Sequence, residues 1–371
     1  MDCELDAARE EIKETDRAIA GLFERRMRAV EAVAKYKKDH GLPVFDPLQE
    51  ERVKSRNSAY IDDPVIREYY VRFIEGAMAL SRAYQHRLME GMRVAYTGVE
   101  GAFAHIAAKK IFPDANVSAF SSFEDAYSSV ERGECDAAVL PVENSYAGEV
   151  GPVLDLMYGG KLHVTGIYSL PVTQNLLGVP GASISDIKTV VSHPQALSQC
   201  EKYIKEKGWR AVSASNTAVA AREVAERGDA SAAAIASLET AALYGLDVLE
   251  SDINESAVNT TKFAVFAKSE NAGRNKKDNK FMLVFTTKHT AGALSRAINV
   301  IGEAGFNMLS IRSRPAKDAA WQYYFCIEAE GDETSEAGKK MLSELDRVCE
   351  KLKVVGHYSA QINIKDGIVE K

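Results

Sequence analysis

Seven polar residues within the first ninety positions have the types and spacing to form one polar site if their helices converge. Arg26 and Lys37 lie eleven residues apart, about three helical turns, so both project from one face of a helix. Arg9 belongs to the same helix, far enough along it to serve a pocket in a second copy of the chain. Asp46 and Glu50 share a face at i, i+4, as do Ser81 and Gln85. Taken singly, each reads as solvated helix surface. Together they supply three cations, two carboxylates and two neutral hydrogen-bonding groups on helices that can converge.

Four later stretches are also too specific for linkers. Pro141-Val142-Glu143-Asn144-Ser145 follows an apolar run, at the strand end where α/β proteins bind ligands. Ser192-His193-Pro194-Gln195 sits between a strand and a helix, and Asn216-Thr217-Ala218 opens another helix. Asn259 to Phe263 leads into a strand. For Ser192, Asn216 and Thr217 the plain reading is N-capping, but a cap also leaves backbone N–H groups where an anion can sit. His193 is open between a general acid and a structural hydrogen bond. Near the C-terminal end, Gly292-Ala293-Leu294 opens a helix, Asn307 leads into the next strand and Ser313-Arg314-Pro315 ends that strand. Small residues there admit a ligand to the backbone, or serve ordinary turns.

The elements that must position these residues fall into three segments. Few breakers interrupt residues 5–40, where Leu5, Ala8, Ile12, Ile19, Leu22, Val30 and Val33 recur at helical spacing. A helix of about 35 residues is roughly 50 Å long. Ninety residues cannot cover it alone, which predicts an intertwined dimer. Asp46 to Ser58 reads as a second helix, and Asp63-Pro64 opens a third that runs to about Leu88. From Met92 to Lys268, apolar strands alternate with helices, which predicts α/β structure with mostly parallel sheets, in two lobes around a cleft. Residues 269–279 read as a linker. The remaining segment has the order βαββαβ, a ferredoxin-like pattern.

Composition narrows the function. The 371 residues suggest two or three domains, and the net charge of -7 argues against nucleic acid or an anionic membrane as partner. The five cysteines are scattered, with no metal-ligand spacing, which predicts reduced thiols in the cytoplasm and no metal. The acidic start does not resemble a signal peptide, and no apolar run suits a membrane span.

Arg9, Arg26, Lys37, Asp46, Glu50, Ser81 and Gln85 resemble, in order and spacing, the active-site set of the all-α chorismate mutases, over residues 1–90. The resemblance implies that Arg26 and the partner subunit's Arg9 hold the carboxylates of chorismate. Lys37 and Gln85 address the ether oxygen, Asp46 and Glu50 orient the ring hydroxyl and the cations, and Ser81 assists carboxylate binding. The reaction is a pericyclic rearrangement to prephenate, which needs a held conformer and stabilised charge.

Residues 92–268 resemble prephenate dehydratase, through Tyr96 to His105, Pro141 to Ser145, Ser192 to Leu197, Asn216 to Ala218, Tyr244-Gly245-Leu246 and Thr261 to Phe263. That family has two lobes like a periplasmic binding protein and forms phenylpyruvate without metal or organic cofactor. By resemblance Thr261 is the catalytic hydroxyl, and Glu143, Asn144, Ser145, Ser192, His193, Asn216, Thr217, Lys262 and Phe263 bind substrate. Lys262 stands where the family has Arg, and Ala104 where relatives often carry Ser. Residues 280–371 resemble the ACT domain, with Gly292, Ala293, Leu294, Asn307, Ser313, Arg314 and Pro315 matching its phenylalanine-binding motifs. Arg312 stands where relatives have an acidic residue, and Ser295 where they have Val. The expectation is a bifunctional enzyme of phenylalanine biosynthesis, a homo-oligomer (dimer or tetramer) inhibited by L-phenylalanine. The alternatives are a mutase with a weak or inactive dehydratase domain, and a non-enzymatic sensor of an amino acid or small anion.

Overall fold

The computed structural model describes residues 2–255, 259–271, 279–316, 322–359, 362–365 and 368–369. The expected linker lies largely outside them. The chain forms two compact units, Met1–Arg93 and Val94–Lys371.

The first unit comprises α1 (Asp2–Asp39), α2 (Pro47–Ser58) and α3 (Pro64–Glu90). Asp46 and Asp63 cap α2 and α3, each ahead of a proline whose missing N–H costs nothing in a first turn. Gly41, at φ +63°, lets the chain turn after α1. α1 and α3 run in parallel: Arg26 bonds to the Ala77 carbonyl and to Ser81, and further along both helices Tyr84 donates to Glu31. Within α1, Leu5, Ile12, Ile19, Leu22 and Val33 remain 42–63% exposed.

The second unit begins with an α/β lobe: β1 (Arg93–Thr97), α4 (Phe103–Ile111), β2 (Asn116–Phe120), α5 (Phe123–Arg132), β3 (Ala137–Asn144), β4 (Gly148–Glu149), α6 (Gly151–Gly159) and β5 (His163–Pro171). A second lobe follows, with β6 (Asn175–Gly178), β7 (Thr189–Ser192), α7 (Pro194–Gln199), α8 (Glu201–Lys207), β8 (Arg210–Ser213), α9 (Thr217–Arg227), β9 (Ala232–Ala236), α10 (Leu238–Tyr244) and β10 (Asp247–Glu250). The chain then re-enters the first lobe as β11 (Thr260–Ala267), between β3 and β5. The sheets are mixed rather than mostly parallel. β1 pairs with β3 in parallel, but β11 is antiparallel to both neighbours. Likewise β7 pairs in parallel with β8 and β9, while β6 is antiparallel to β9 and β10. The reason is topological: β5 and β11 carry the chain between lobes, and no crossover helix resets the direction.

The C-terminal module contains β12 (Lys280–Thr286), α11 (Ala293–Glu303), β13 (Asn307–Pro315), β14 (Tyr323–Glu330), α12 (Glu336–Val348) and β15 (Lys351–Tyr358), with antiparallel sheet order β13-β14-β12-β15. The two faces of this sheet have different partners. Phe281, Leu283, Phe285 and Ile327 pack with Ala297, Ile301, Met341 and Leu345 of α11 and α12. Met282, Val284, Tyr324, Cys326 and Val355 share one core with Leu140, Leu154, Met157 and Phe266 of the first lobe. The alternation of strand side chains produces this double burial, so the module is welded to the lobe rather than tethered beside it. The tail also crosses over. β16 (Ile362–Lys365), expected with the module, adds in parallel to β5 and pairs with β17 (Ile368–Val369).

The weld is tightest at Gly356 of β15, where a Cβ would press into the carbonyl of Val164 on β5. Gly356→Ala is expected to destabilise the larger unit by about 1–3 kcal/mol through overpacking. Denaturant unfolding read on that unit checks this; an unchanged midpoint would show that β15 and β5 can separate freely.

Candidate functional sites

In the helical unit, a cavity of about 250 Å³ is lined by Arg26, Lys37, Asp46, Glu50, Ser81 and Gln85. Six of the seven residues singled out from spacing therefore meet. Arg26 is held by the Ala77 carbonyl (3.1 Å) and by Ser81. Lys37 Nζ donates to the Val44 carbonyl at 2.6 Å, across the turn between α1 and α2. Asp46 Oδ1 accepts the Gln49 N–H at 3.0 Å, so this residue is a cap as well as a wall. The Gln85 amide nitrogen donates to the Ser81 carbonyl, while its buried oxygen has no hydrogen-bond partner among the described residues. Such an orphan is expected to be satisfied by a ligand.

The seventh residue is elsewhere. Arg9 is exposed on α1, 3.5 Å from Asp6, and does not line this cavity. The helix is too long for its first turns to reach the pocket formed by its last. Conversely, spacing did not single out Arg82, which lines the cavity, pairs with Glu50 and lies over the Phe45 ring. Its position three residues before Gln85 was the available signal.

In the larger unit, a cavity of about 330 Å³ lies between the lobes, lined among others by Asn144, His193, Asn216, Thr217, Thr261 and Phe263. Thr261 Oγ1 accepts from Asn144 Nδ2 at 2.9 Å, which leaves the hydroxyl proton free to be donated. His193 Nδ1 accepts the Gln195 N–H at 3.2 Å, so the neutral ring carries its proton on Nε2. Asn216 caps α9 through the Val219 N–H at 2.8 Å. α4 starts at Ala102 without a side-chain cap, beside the same cavity. Among the lining residues only Glu149 carries a formal charge. What the lining offers to negative charge is the N-terminal ends of α4 and α9.

Four expected residues do not line the cavity. Ser192 is buried and donates to the Ile235 carbonyl at 2.6 Å. Ser145 accepts the Thr260 N–H at 3.0 Å. Glu143 and Lys262 face each other across β3 and β11 and form a 2.9 Å ion pair. Strand alternation explains this pair, because the neighbouring pair, Asn144 and Thr261, lies on the opposite face. A register shift between Lys262 and Phe263 accounts for Pro141 and Asn144, three residues apart, both reaching the cavity. The sequence reading missed a buried amide chain behind Thr261. Asn144 donates to Asn259, while Asn259 and Gln174 both donate to Gln199. Asn259 had been noted only as the start of a strand approach, and isolated glutamines carry no local signal.

In the C-terminal module, Gly292 takes φ +77° and serves as N-cap of α11, followed by the buried Ala293 and by Leu294. Asn307 donates to Glu330 at 3.0 Å. Ser313 and Pro315 are exposed, whereas Arg314 turns toward the first lobe and pairs with Asp155 at 3.0 Å. That contact commits Arg314 to a partner other than a ligand.

Residues 8–86 match the family model for chorismate mutase type II, and residues 94–271 that for prephenate dehydratase. The bifunctional chorismate mutase/prephenate dehydratase of Aquifex aeolicus (strain VF5) is 30% identical over 366 residues, covering 96% of this chain and 98% of that protein. Arogenate dehydratase/prephenate dehydratase 1, chloroplastic, of Arabidopsis thaliana is 34% identical over 281 residues, 72% of each chain. The structure of prephenate dehydratase from Arthrobacter aurescens in complex with L-Phe is similar at TM-score 0.67 and 28% identity, covering 72% of this chain and 90% of that one. The chain belongs to the bifunctional chorismate mutase/prephenate dehydratase family. It is an enzyme of phenylalanine biosynthesis, with a mutase in the helical unit and a dehydratase in the larger one.

Glu143 offers an electrostatic check. Burial pushes its carboxyl up, but the Lys262 ammonium and the Arg312 guanidinium outweigh burial and hold it below the usual carboxylate range. A depressed folded value gives stability that is present above the unfolded carboxyl pKa of about 4.3 and lost as pH falls through the folded value. Wild type is thus expected to lead Glu143→Gln by a constant margin above about pH 4.3, and by a shrinking one below it. Urea unfolding of the larger unit between neutral and acidic pH reads this margin; a margin that stays flat would contradict a lowered Glu143.

Proposed function

We propose that chorismate rearranges in the cavity between the helices and that prephenate is dehydrated in the cavity between the lobes. One observation carries the reading: six polar residues scattered over sixty positions of helical sequence meet around one pocket. Arg26 would hold one carboxylate of chorismate, with Ser81 assisting. Lys37 and Gln85 would face the ether oxygen whose bond breaks, where negative charge builds in the transition state. Asp46 and Glu50 would orient the ring hydroxyl and the cations around it. No proton moves, so the task is to hold the reactive conformer and favour its separated charge.

In the dehydratase, loss of carbon dioxide returns its bonding electrons to the ring, which becomes aromatic as the hydroxyl departs. The departing oxygen needs a proton. The Thr261 hydroxyl, accepting from Asn144, is placed to donate toward it. Helix N-termini would receive the carboxylates, and Asn144, His193, Asn216 and Thr217 would surround the ring.

The remaining assignments follow. The C-terminal module, ferredoxin-like in strand order, would be an ACT domain that takes L-phenylalanine at Gly292 to Leu294 with Asn307, Ser313 and Pro315, while Arg314 stays with Asp155. The relative solved with L-Phe supports this. The exposed stripe of α1 would bury against a second copy, whose Arg9 completes each mutase site. No helix among the described residues is long and apolar enough to cross a membrane. Cys135, Cys200, Cys326 and Cys349 are free thiols, as suits the cytoplasm.

Chorismate supplied to the purified protein should yield prephenate and then phenylpyruvate. Lys37→Ala is expected to lower chorismate consumption at least about 100-fold while prephenate is still dehydrated. Thr261→Val should do the reverse, so that prephenate accumulates with phenylpyruvate formation down about 100-fold. Millimolar L-phenylalanine should slow the second step. Either variant retaining both rates would remove its residue from the mechanism, and a second step indifferent to phenylalanine would remove the effector role.

Subunit complementation tests the shared site. Arg9→Ala and Lys37→Ala protomers, each nearly inactive as a mutase, should recover about a quarter of wild-type turnover when assembled together, since a mixed twofold dimer rebuilds one of two pockets. No recovery in a mixture shown to contain mixed dimers would place Arg9 outside the site.

A further inference from the structure

The geometry behind Thr261 gives the C-terminal module a part in the chemistry; the argument rests on the dehydratase reading given above. Arg312 and Arg314, two residues apart on β13, present their side chains on one face of the strand, toward the first lobe. Arg314 is engaged by Asp155 and lies 3.6 Å from Glu149. Arg312 Nη2 reaches Glu143 Oε2 at 2.9 Å, and the same oxygen accepts from Lys262 Nζ, also at 2.9 Å. One carboxylate oxygen therefore ties three strands together: β3, β11 and β13.

The tie sits at a sensitive place. Glu143 and Lys262 are cross-strand partners, and the adjacent pair in the ladder is Asn144 with Thr261. A single short segment thus carries the ion cluster on one face and the reactive hydroxyl on the other. Directly after it, between Lys262 and Phe263, the register shifts. Where a bulge interrupts the backbone ladder, side chains must help to hold local register. Lys262 cannot do so alone, because it rides on the strand to be positioned. Arg312 belongs to a different sheet, anchored through the core that Val284, Tyr324 and Cys326 share with Leu140 and Phe266. Its side chain is only 14% exposed, so the contact is not a solvated surface pair.

We propose that Arg312 is a positioning residue for the dehydratase reaction, acting through Glu143 on the strand that presents Thr261. It does not line the substrate cavity, and neither does Glu143. Loss of the tie lets the Asn144–Thr261 pair drift relative to the helix ends that hold the substrate. Small misplacements of a reacting group lower turnover more than binding.

The test compares Arg312→Ala, Arg312→Gln, Arg312→Lys, Glu143→Gln and the double variant R312Q/E143Q, all in the full-length protein. Prephenate kinetics, mutase turnover and melting of the larger unit are measured on each. Arg312→Gln is expected to lower dehydratase kcat about tenfold with KM within about twofold, and to leave mutase turnover unchanged. Arg312→Lys should restore most of the rate, and the double variant should be no slower than Glu143→Gln alone. A folded Arg312→Gln protein with full kcat would overturn the proposal. So would losses that multiply in the double variant, since independent effects need no tie. If Arg312→Ala melts the larger unit, the Gln and Lys replacements decide the matter. Thr261→Val in the same assay separates the two readings. Lost turnover there with an unaffected Arg312→Gln removes only the positioning role; full turnover in Thr261→Val removes the reading beneath it.

Discussion

Strand β11 lies between β3 and β5 and carries Thr261, the hydroxyl proposed to react. Its antiparallel pairing with β3 is the constraint on which the proposed dehydratase site depends. That pairing sets Thr261 beside Asn144 and Lys262 beside Glu143. The first pair is hydrogen-bonded into an amide chain that runs through Asn259 to Gln199. Buried amides are costly unless each finds partners, so a connected chain of this kind holds its members in one arrangement. The strand is therefore fixed on one face by amides, on the other by ions, and along its length by β5.

The two cavities offer opposite means of meeting the anions proposed for them. Between the helices, Arg26, Lys37 and Arg82 line one cavity with Asp46 and Glu50, point charges that would suit a transition state that separates charge. Between the lobes, the walls are amides, hydroxyls and helix N-termini, with Glu149 as the charged lining residue. The difference suits the chemistry. A strong cation at the carboxylate that must leave as neutral carbon dioxide would stabilise the ground state more than the transition state, and such uniform or preferential ground-state binding raises no rate. Helix ends hold the anion more gently. This also bears on Lys262: its ammonium is occupied by Glu143 and does not line the cavity.

Helix periodicity made most of the mutase cavity legible. Arg26, Lys37, Asp46, Glu50, Ser81 and Gln85 could be placed on common faces because residues three and four apart on a helix meet whatever the tertiary fold. Strands gave less. Alternation says that Thr261 and Lys262 face opposite ways, but not which face looks into the cleft, and the family motif drew Lys262 and Glu143 into the substrate set. Gln174 and Gln199 come together only through tertiary packing, and no spacing rule reports that. The welding of the C-terminal module did leave a trace. β12 reads Phe281-Met282-Leu283-Val284-Phe285, apolar at every position, as a strand covered on both faces must be. A free-standing two-layer module would have shown polar residues on alternate positions.

That double burial constrains how any signal could travel from the module. Met282, Val284 and Cys326 are packed against Leu140 and Met157, and close-packed cores shift between discrete arrangements rather than deforming smoothly. A ligand at α11 or the end of β13 can influence the dehydratase only if it binds two arrangements of this joint unequally. The contacts best suited to differ are those made by long charged side chains at its rim. Arg312 with Glu143, and Arg314 with Asp155 and Glu149, are such contacts, and both arginines lie on β13. A displacement of β13 by a fraction of a hydrogen-bond length would loosen the ion cluster before it disturbed the core, because a directional bond weakens with small misalignment while apolar burial is nearly indifferent to it. The same strand that bears the proposed effector residues thus holds a contact path to Thr261 through Arg312 and Glu143.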